Sequence, residues 1–262
     1  GGLVIALLLF LTIGTLIAVV FRAESFSGLT RNEWLAIRFT FFQSFVSAFI
    51  SVLLAIPVSR GLSRRTFIGR KILITLLGAP FILPVIVAIL GLVLVFGNNG
   101  LIRNLFHFEE LSIYGVHGVI MAHVFFNLPL ATRLLLQGWV SIPSERFRLA
   151  QSLGFTPFNF FVHLELPMLR RLVPGIFLII FLICTTSFAV ALALGGGPKS
   201  TTIELAIYQA FRFDFNLSRV AILSVIQITI CGVIALFSSW VSIPVNYGGG
   251  LDRIRPQLSN GR

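Results

Sequence analysis

Of the 262 residues, 56% are hydrophobic and 11% are charged, with a mean hydropathy of +0.98. That is too little charge to cover a soluble domain and points to an integral membrane protein seated in a lipid bilayer. The net charge of +11 is concentrated in particular loops, where it acts as an orientation signal, and this argues against nucleic acid as the partner.

Apolar stretches of about 20 residues recur along the chain, the length that crosses a bilayer core as a helix. The first, 2–21, is too long for a signal-peptide core and no A-x-A cleavage site follows it, so it reads as a span. The chain starts at Gly1 rather than Met, so a cytoplasmic leader is expected to be missing. The second span, 34–58, carries Pro57 near its end. The third, 72–96, contains Pro80 and Pro84 one turn apart. Each removes a backbone donor, which predicts a kink that neighbouring helices can accommodate. Gly97-Asn98-Asn99-Gly100 reads as a turn. The remaining spans are 116–140, 172–194 and 220–240. The expected fold class is an all-α membrane protein of about six transmembrane helices, with one domain over 1–243 and a tail or linker over 244–262. Cys184 and Cys231 fall in apolar runs as small buried side chains. They form no zinc pattern or disulfide framework, and no metal or cofactor is expected.

Charge predicts the orientation. Arg60, Arg64, Arg65, Arg70 and Lys71 follow the second span, Arg133, Arg146, Arg148, Arg170 and Arg171 surround the loop before the fifth, and Arg253, Arg255 and Arg262 lie in the tail. That side holds thirteen basic residues against seven on the other, and the other carries six of the nine acids, among them Glu33, Glu204 and Asp214. The basic side is expected to be cytoplasmic, and both chain ends with it.

The connection 141–171 is too long for a simple loop. Pro143 can open a helix, Gly154 can end it as a left-handed cap, and Thr156 can cap a second short helix starting at Pro157. Phe158, Phe160, Phe161 and Val162 give that helix an apolar surface. It is either covered by the chain's own helix ends or projects as a knob for a partner protein.

These residues resemble a family. Arg148-Leu149-Ala150-Gln151-Ser152-Leu153-Gly154, followed by Leu164-Glu165-Leu166-Pro167, is similar to the cytoplasmic loop of bacterial ABC importer permeases, whose pattern is E-A-A-x3-G-x9-I-x-L-P. Ala150, Gly154, Leu166 and Pro167 match at the right spacing. Arg148, Leu149 and Leu164 depart from the pattern, standing where the family has Glu, Ala and Ile. The resemblance implies a type I ABC importer permease fold in a bacterial inner membrane. It implies that 155–163, with Phe155, Thr156, Pro157, Phe158, Phe160 and Phe161, is a coupling helix. That helix would dock on a cytoplasmic ABC ATPase dimer, which hydrolyses the ATP, leaving this chain a transport subunit and not an enzyme. A periplasmic substrate-binding protein and a second permease half, fused or separate, are the other implied partners. His123-Val124-Phe125-Phe126-Asn127-Leu128-Pro129 and the stretch 194–210 resemble the thiamine permeases, and specifically the amino-terminal half of their fused chain. Ferric-iron permeases share much of the pattern. Thiamine or its phosphates is therefore the expected substrate and iron the alternative. Thiamine, a flat aromatic cation, can pass aromatic faces and hydroxyls without a fixed carboxylate.

His123 and Asn127, four apart, share one face of the fourth span. They line a substrate path or make an interhelical hydrogen bond. Thr185, Thr186 and Ser187 carry the same ambiguity, and their hydroxyls can also bond back to their own helix. Gly195-Gly196-Gly197-Pro198-Lys199-Ser200 is not a phosphate loop, because Pro198 has no N–H to offer. It leads instead into an amphipathic external helix, with Thr201 and Glu204 at capping-box spacing. An intramembrane enzyme is disfavoured, since the spans hold almost no acids and His117, His123 and His163 fall at different depths.

Overall fold

The computed structural model describes residues 28–97, 100–101, 113–197 and 200–241, with isolated positions before residue 28. Most of the predicted first span, the tail 244–262, and Asn98, Asn99, Pro198 and Lys199 lie outside the described residues. The elements, in order, are α1 (Arg31–Arg64), α2 (Arg70–Leu76), α3 (Ala79–Ile82), α4 (Val85–Phe96), α5 (Val116–Ser141), α6 (Ser144–Ser152) and α7 (Pro157–Phe160). A π-helical segment, Phe161–Glu165, then leads to α8 (Leu166–Thr185), α9 (Phe188–Leu194), α10 (Ile203–Arg212) and α11 (Leu217–Val241). Among the described residues, four helices are long and apolar enough to cross a membrane: α1, α5, the continuous helix Pro157–Thr185, and α11. The fold is all-helical and multi-pass.

α1 shows why the bundle holds together in lipid. At about 1.5 Å per residue its 34 residues reach roughly 51 Å, well past the bilayer core. Its large side chains, Phe42, Phe45, Phe49 and Leu53, are exposed. Its small ones, Ala48, Ser51, Ala55 and Ser59, are buried. This is the reverse of a soluble helix, and small residues let the backbones of α1 and α5 approach closely. The main core gathers Ala48, Leu135, Trp139, Met168, Ile180 and Phe181 from α1, α5 and α8. At the α5–α8 crossing a Cβ on Gly138 would collide with the Leu172 side chain, so glycine sets the approach there.

Two predicted spans differ in form. The third is broken into three pieces instead of kinked. Gly78 separates α2 from α3, and Leu83, with ψ 133°, is extended ahead of Pro84, as the residue before a proline prefers. The fifth begins earlier and ends sooner than expected. Its helix starts at Pro157 and stops at Thr185, and α9 resumes after Ser187. The short helix of the long loop is therefore not separate but the first turns of a span. The wider π turn just before Pro167 lets the chain pass a proline whose ring would otherwise meet the carbonyl of the preceding turn.

Candidate functional site

The basic end of the bundle is organised around Gly154 and Glu165. α6 ends where Gly154 turns left-handed, with φ +67°, and its N–H donates to Gln151 O at 3.0 Å. Nothing lies within 4 Å of a Cβ built there, so the requirement for glycine is conformational, not steric. Thr156 caps the next helix by accepting from Asn159 N at 3.3 Å. Both features are as the sequence predicts. Pro143 stands at the N-cap of α6, one position before the first turn. Ala150 is buried, and so is Phe147.

The apolar surface of the short helix is divided. Phe160 and Phe161 pack against the main core, Phe155 is half-buried, and Pro157 and Pro167 are exposed. Leu166 is half-buried. The side chains left projecting are Phe158 at 72% exposure, with Leu149 on α6 and Leu153 at its C-cap. Beside them a groove of about 510 Å³ is lined by Pro57, Arg60, Arg64, Phe147, Phe155 and Phe160.

Sequence reading missed the residue that fixes this corner. Glu165 is fully buried. Arg60 Nε donates to its Oε2 at 2.7 Å, and Arg64 Nη2 and Nε donate to its Oε1 at 2.5 and 3.0 Å. The Arg64 guanidinium also lies 4.6 Å over the Phe147 ring and 5.9 Å from Phe160, and Arg60 lies 5.3 Å over Phe161. Carboxylate and cation–π contacts thus tie the last turns of α1 to α6, α7 and the π segment. The only signal in the sequence was an acid among apolar residues, one of few in the chain.

A second polar cluster lies deep between α1, α5, α8 and α11. α8 stops at Thr185, leaving carbonyls without partners in their own helix. Gln43 Nε2 donates to Cys184 O at 2.9 Å and Gln227 Nε2 to Thr185 O at 3.2 Å. Thr185 Oγ1 donates to Phe181 O at 2.8 Å and to Ser44 Oγ at 3.2 Å. Asn127 Nδ2 donates to His123 O at 2.9 Å and to Cys184 Sγ at 3.3 Å. Among the described residues, both ring nitrogens of buried His123 and the amide oxygens of Gln43 and Gln227 have no hydrogen-bond partner. Thr186 bonds back to Leu182 O at 3.2 Å, and Ser187 is half-buried at the helix break. His123, Asn127 and Thr185 are thus brought together, Thr186 points away, and Gln43, Ser44 and Gln227 complete a cluster the sequence had not joined.

At the opposite end α10 is capped by Thr202, not Thr201: Thr202 Oγ1 accepts from Leu205 N at 3.4 Å. Ile203 N donates to Thr40 Oγ1 of α1 at 2.9 Å. Its first turn, buried at Thr201, Thr202 and Ile203, is thus inserted into the bundle instead of lying on a surface.

A bundle of this topology is shared with the chains of solved ABC importers. The chain of a solved bacterial ABC transporter that imports the acidic polysaccharide alginate superposes with TM-score 0.75 and 16% identity, over 93% of each chain. The alginate transporter in complex with its alginate-bound periplasmic protein gives TM-score 0.64 and 16% identity, over 89% of this chain and 84% of that one. No family model matches the chain. By sequence it is similar to thiamine transport system permease proteins. That of Salmonella typhimurium is 42% identical over 90% of this chain and 46% of its own length. That of Escherichia coli is 46% identical over 80% of this chain and 40% of its own length. The chain spans about half the length of these relatives.

Proposed function

We propose that this chain is one half of the membrane channel of an ATP-driven importer for thiamine or its phosphates. The observation that carries the reading is the 42–46% identity to thiamine transport permeases over most of the chain, joined to a structured helix–Gly154–helix corner. In this reading the basic end faces the cytoplasm and both chain ends lie there. Ala150, Leu166 and Pro167 frame the corner, and Phe158, Leu149 and Leu153 present the apolar knob that an ABC ATPase covers. A periplasmic binding protein delivers the substrate at the other end, and a second permease half completes the channel. His123, Asn127, Thr185, Thr186 and Ser187 flank the path. Motion of the knob is carried along Pro157–Thr185, a single helix of 29 residues, to the polar cluster at its far end. No chemistry on the substrate is required of any residue.

The test is uptake of labelled thiamine by cells with and without the complete transporter genes. Unchanged thiamine uptake together with a fall in iron uptake would overturn the substrate. Gly154→Val, which forces a β-branched residue into a left-handed turn, should leave the protein in the membrane but abolish uptake. Orientation is read separately. In a background lacking Cys184 and Cys231, cysteines at positions 64 and 158 should resist an impermeant thiol reagent applied outside, and one at 199 should react.

A further inference from the structure

Glu204 is a further acid of the bundle, outside the corner. It sits in the first turn of α10, the turn inserted beside Thr40. It is half-buried and, among the described residues, has neither an ion pair nor a hydrogen bond. Tyr208 is one turn further on the same face. Its ring lies 5.1 Å from that of Phe188 in α9, at an interplanar angle of 59°. α11, whose Leu223 packs against Ile203 of α10, carries Cys231. One turn before it, Gln227, only 7% exposed, donates to Thr185 O at 3.2 Å and has no partner for its own Oε1 among the described residues. An acid, two aromatic rings and a buried amide oxygen are thus carried by elements that pack on one another around the break between α8 and α9.

The geometry points to a cation subsite: we propose that Glu204, with Tyr208 and Phe188, holds a flat aromatic cation of the thiazolium class on its way through the bundle. The carboxylate supplies the charge, the rings supply quadrupole faces, and Gln227 Oε1 accepts from an N–H of the guest. An unpaired carboxylate shielded from water gains more from a cation than an exposed one does. This revises the expectation that no fixed carboxylate meets the substrate. The inference rests on the thiamine reading above and adds the residue that recognises the charge.

The test uses the complete transporter with its ATPase and binding protein, reconstituted in liposomes, with labelled thiamine as the probe. Assembly of each variant is checked by copurification of all subunits. Glu204→Gln, nearly isosteric and neutral, should lower uptake by at least about tenfold, and Glu204→Asp by less. Tyr208→Phe should retain uptake while Tyr208→Leu loses it, because the ring face and not the hydroxyl is required. Uptake by Glu204→Gln equal to wild type overturns the subsite and leaves the thiamine reading intact. Absence of thiamine uptake by the wild-type complex overturns both. If Glu204→Gln does not assemble, equal uptake by Tyr208→Phe and Tyr208→Leu overturns the subsite on its own.

Discussion

Glu165 is a fully buried acid of this bundle and Glu204 a half-buried one, and their surroundings are opposite. Glu165 receives three N–H donors from two arginines, which are themselves stacked on three phenylalanine rings. Glu204 has an aromatic pair one turn away and no cation among the described residues. The first acid has spent its charge on the scaffold and fixes where the corner sits. The second keeps its charge available to a guest. The bundle thus ties Glu165 into its scaffold and leaves Glu204 without an ion pair among the described residues, and partners as well as burial separate the two roles.

The comparison breaks first at Glu165. Glu165→Gln should destabilise the complex by about 2–4 kcal/mol, since it strands two arginines at a buried site. The lower part of that range is favoured because the Arg60 and Arg64 side chains keep 41% and 24% of their exposure and solvent screens them. A thermal melt of the purified complex reads it. Arg64→Ala should cost about 1–2 kcal/mol, because Arg64 donates twice and covers two rings. Arg60→Ala, with a single bond and more exposure, should cost less than about 1 kcal/mol. Equal melting shifts for the two would mean that the ring contacts add nothing. Thr156→Ala removes one cap and should cost about 1 kcal/mol locally. The readout is faster amide exchange confined to residues 155–163, and a shift spread over the whole bundle would contradict a local cap. The smallest effect belongs to Glu204→Gln, whose melting shift should correspond to about 0.5 kcal/mol or less in either direction. A loss as large as that of Glu165→Gln would erase the contrast between the two acids.

What could be read from the sequence was what is decided locally. Gly154 and Thr156 were legible because a left-handed cap and a side-chain cap depend on neighbours three or four residues away. The long apolar stretches were legible because bilayer thickness sets their length. The Glu165 clamp was not, because its partners lie about 100 residues earlier and meet it only when α1 and α8 pack. Pro80 and Pro84 announced an interruption, but whether a span bends or breaks depends on neighbours that take up the freed groups. Gly154, Thr156 and Pro157 suggested a separate short helix, and the π turn before Pro167 carried that helix through into the span. The cap at Thr202 instead of Thr201 is a one-residue error of the kind two adjacent threonines invite. It mattered because the same turn docks on Thr40 and places Glu204 inside the bundle.

The separation between Arg60 or Arg64 and Glu165 also sets an order in time. Synthesis at about 5–20 residues per second leaves roughly 5–20 s between the emergence of the arginines and that of their acid. Throughout that interval both stand without their acid at the basic end of α1, where basic residues act as an orientation signal during insertion. When Glu165 arrives they are drawn into the ion pair and stacked on the rings. The two arginines thus serve twice in succession, first in steering the nascent chain and afterwards as a lock on the finished corner that keeps the inserted topology from being renegotiated.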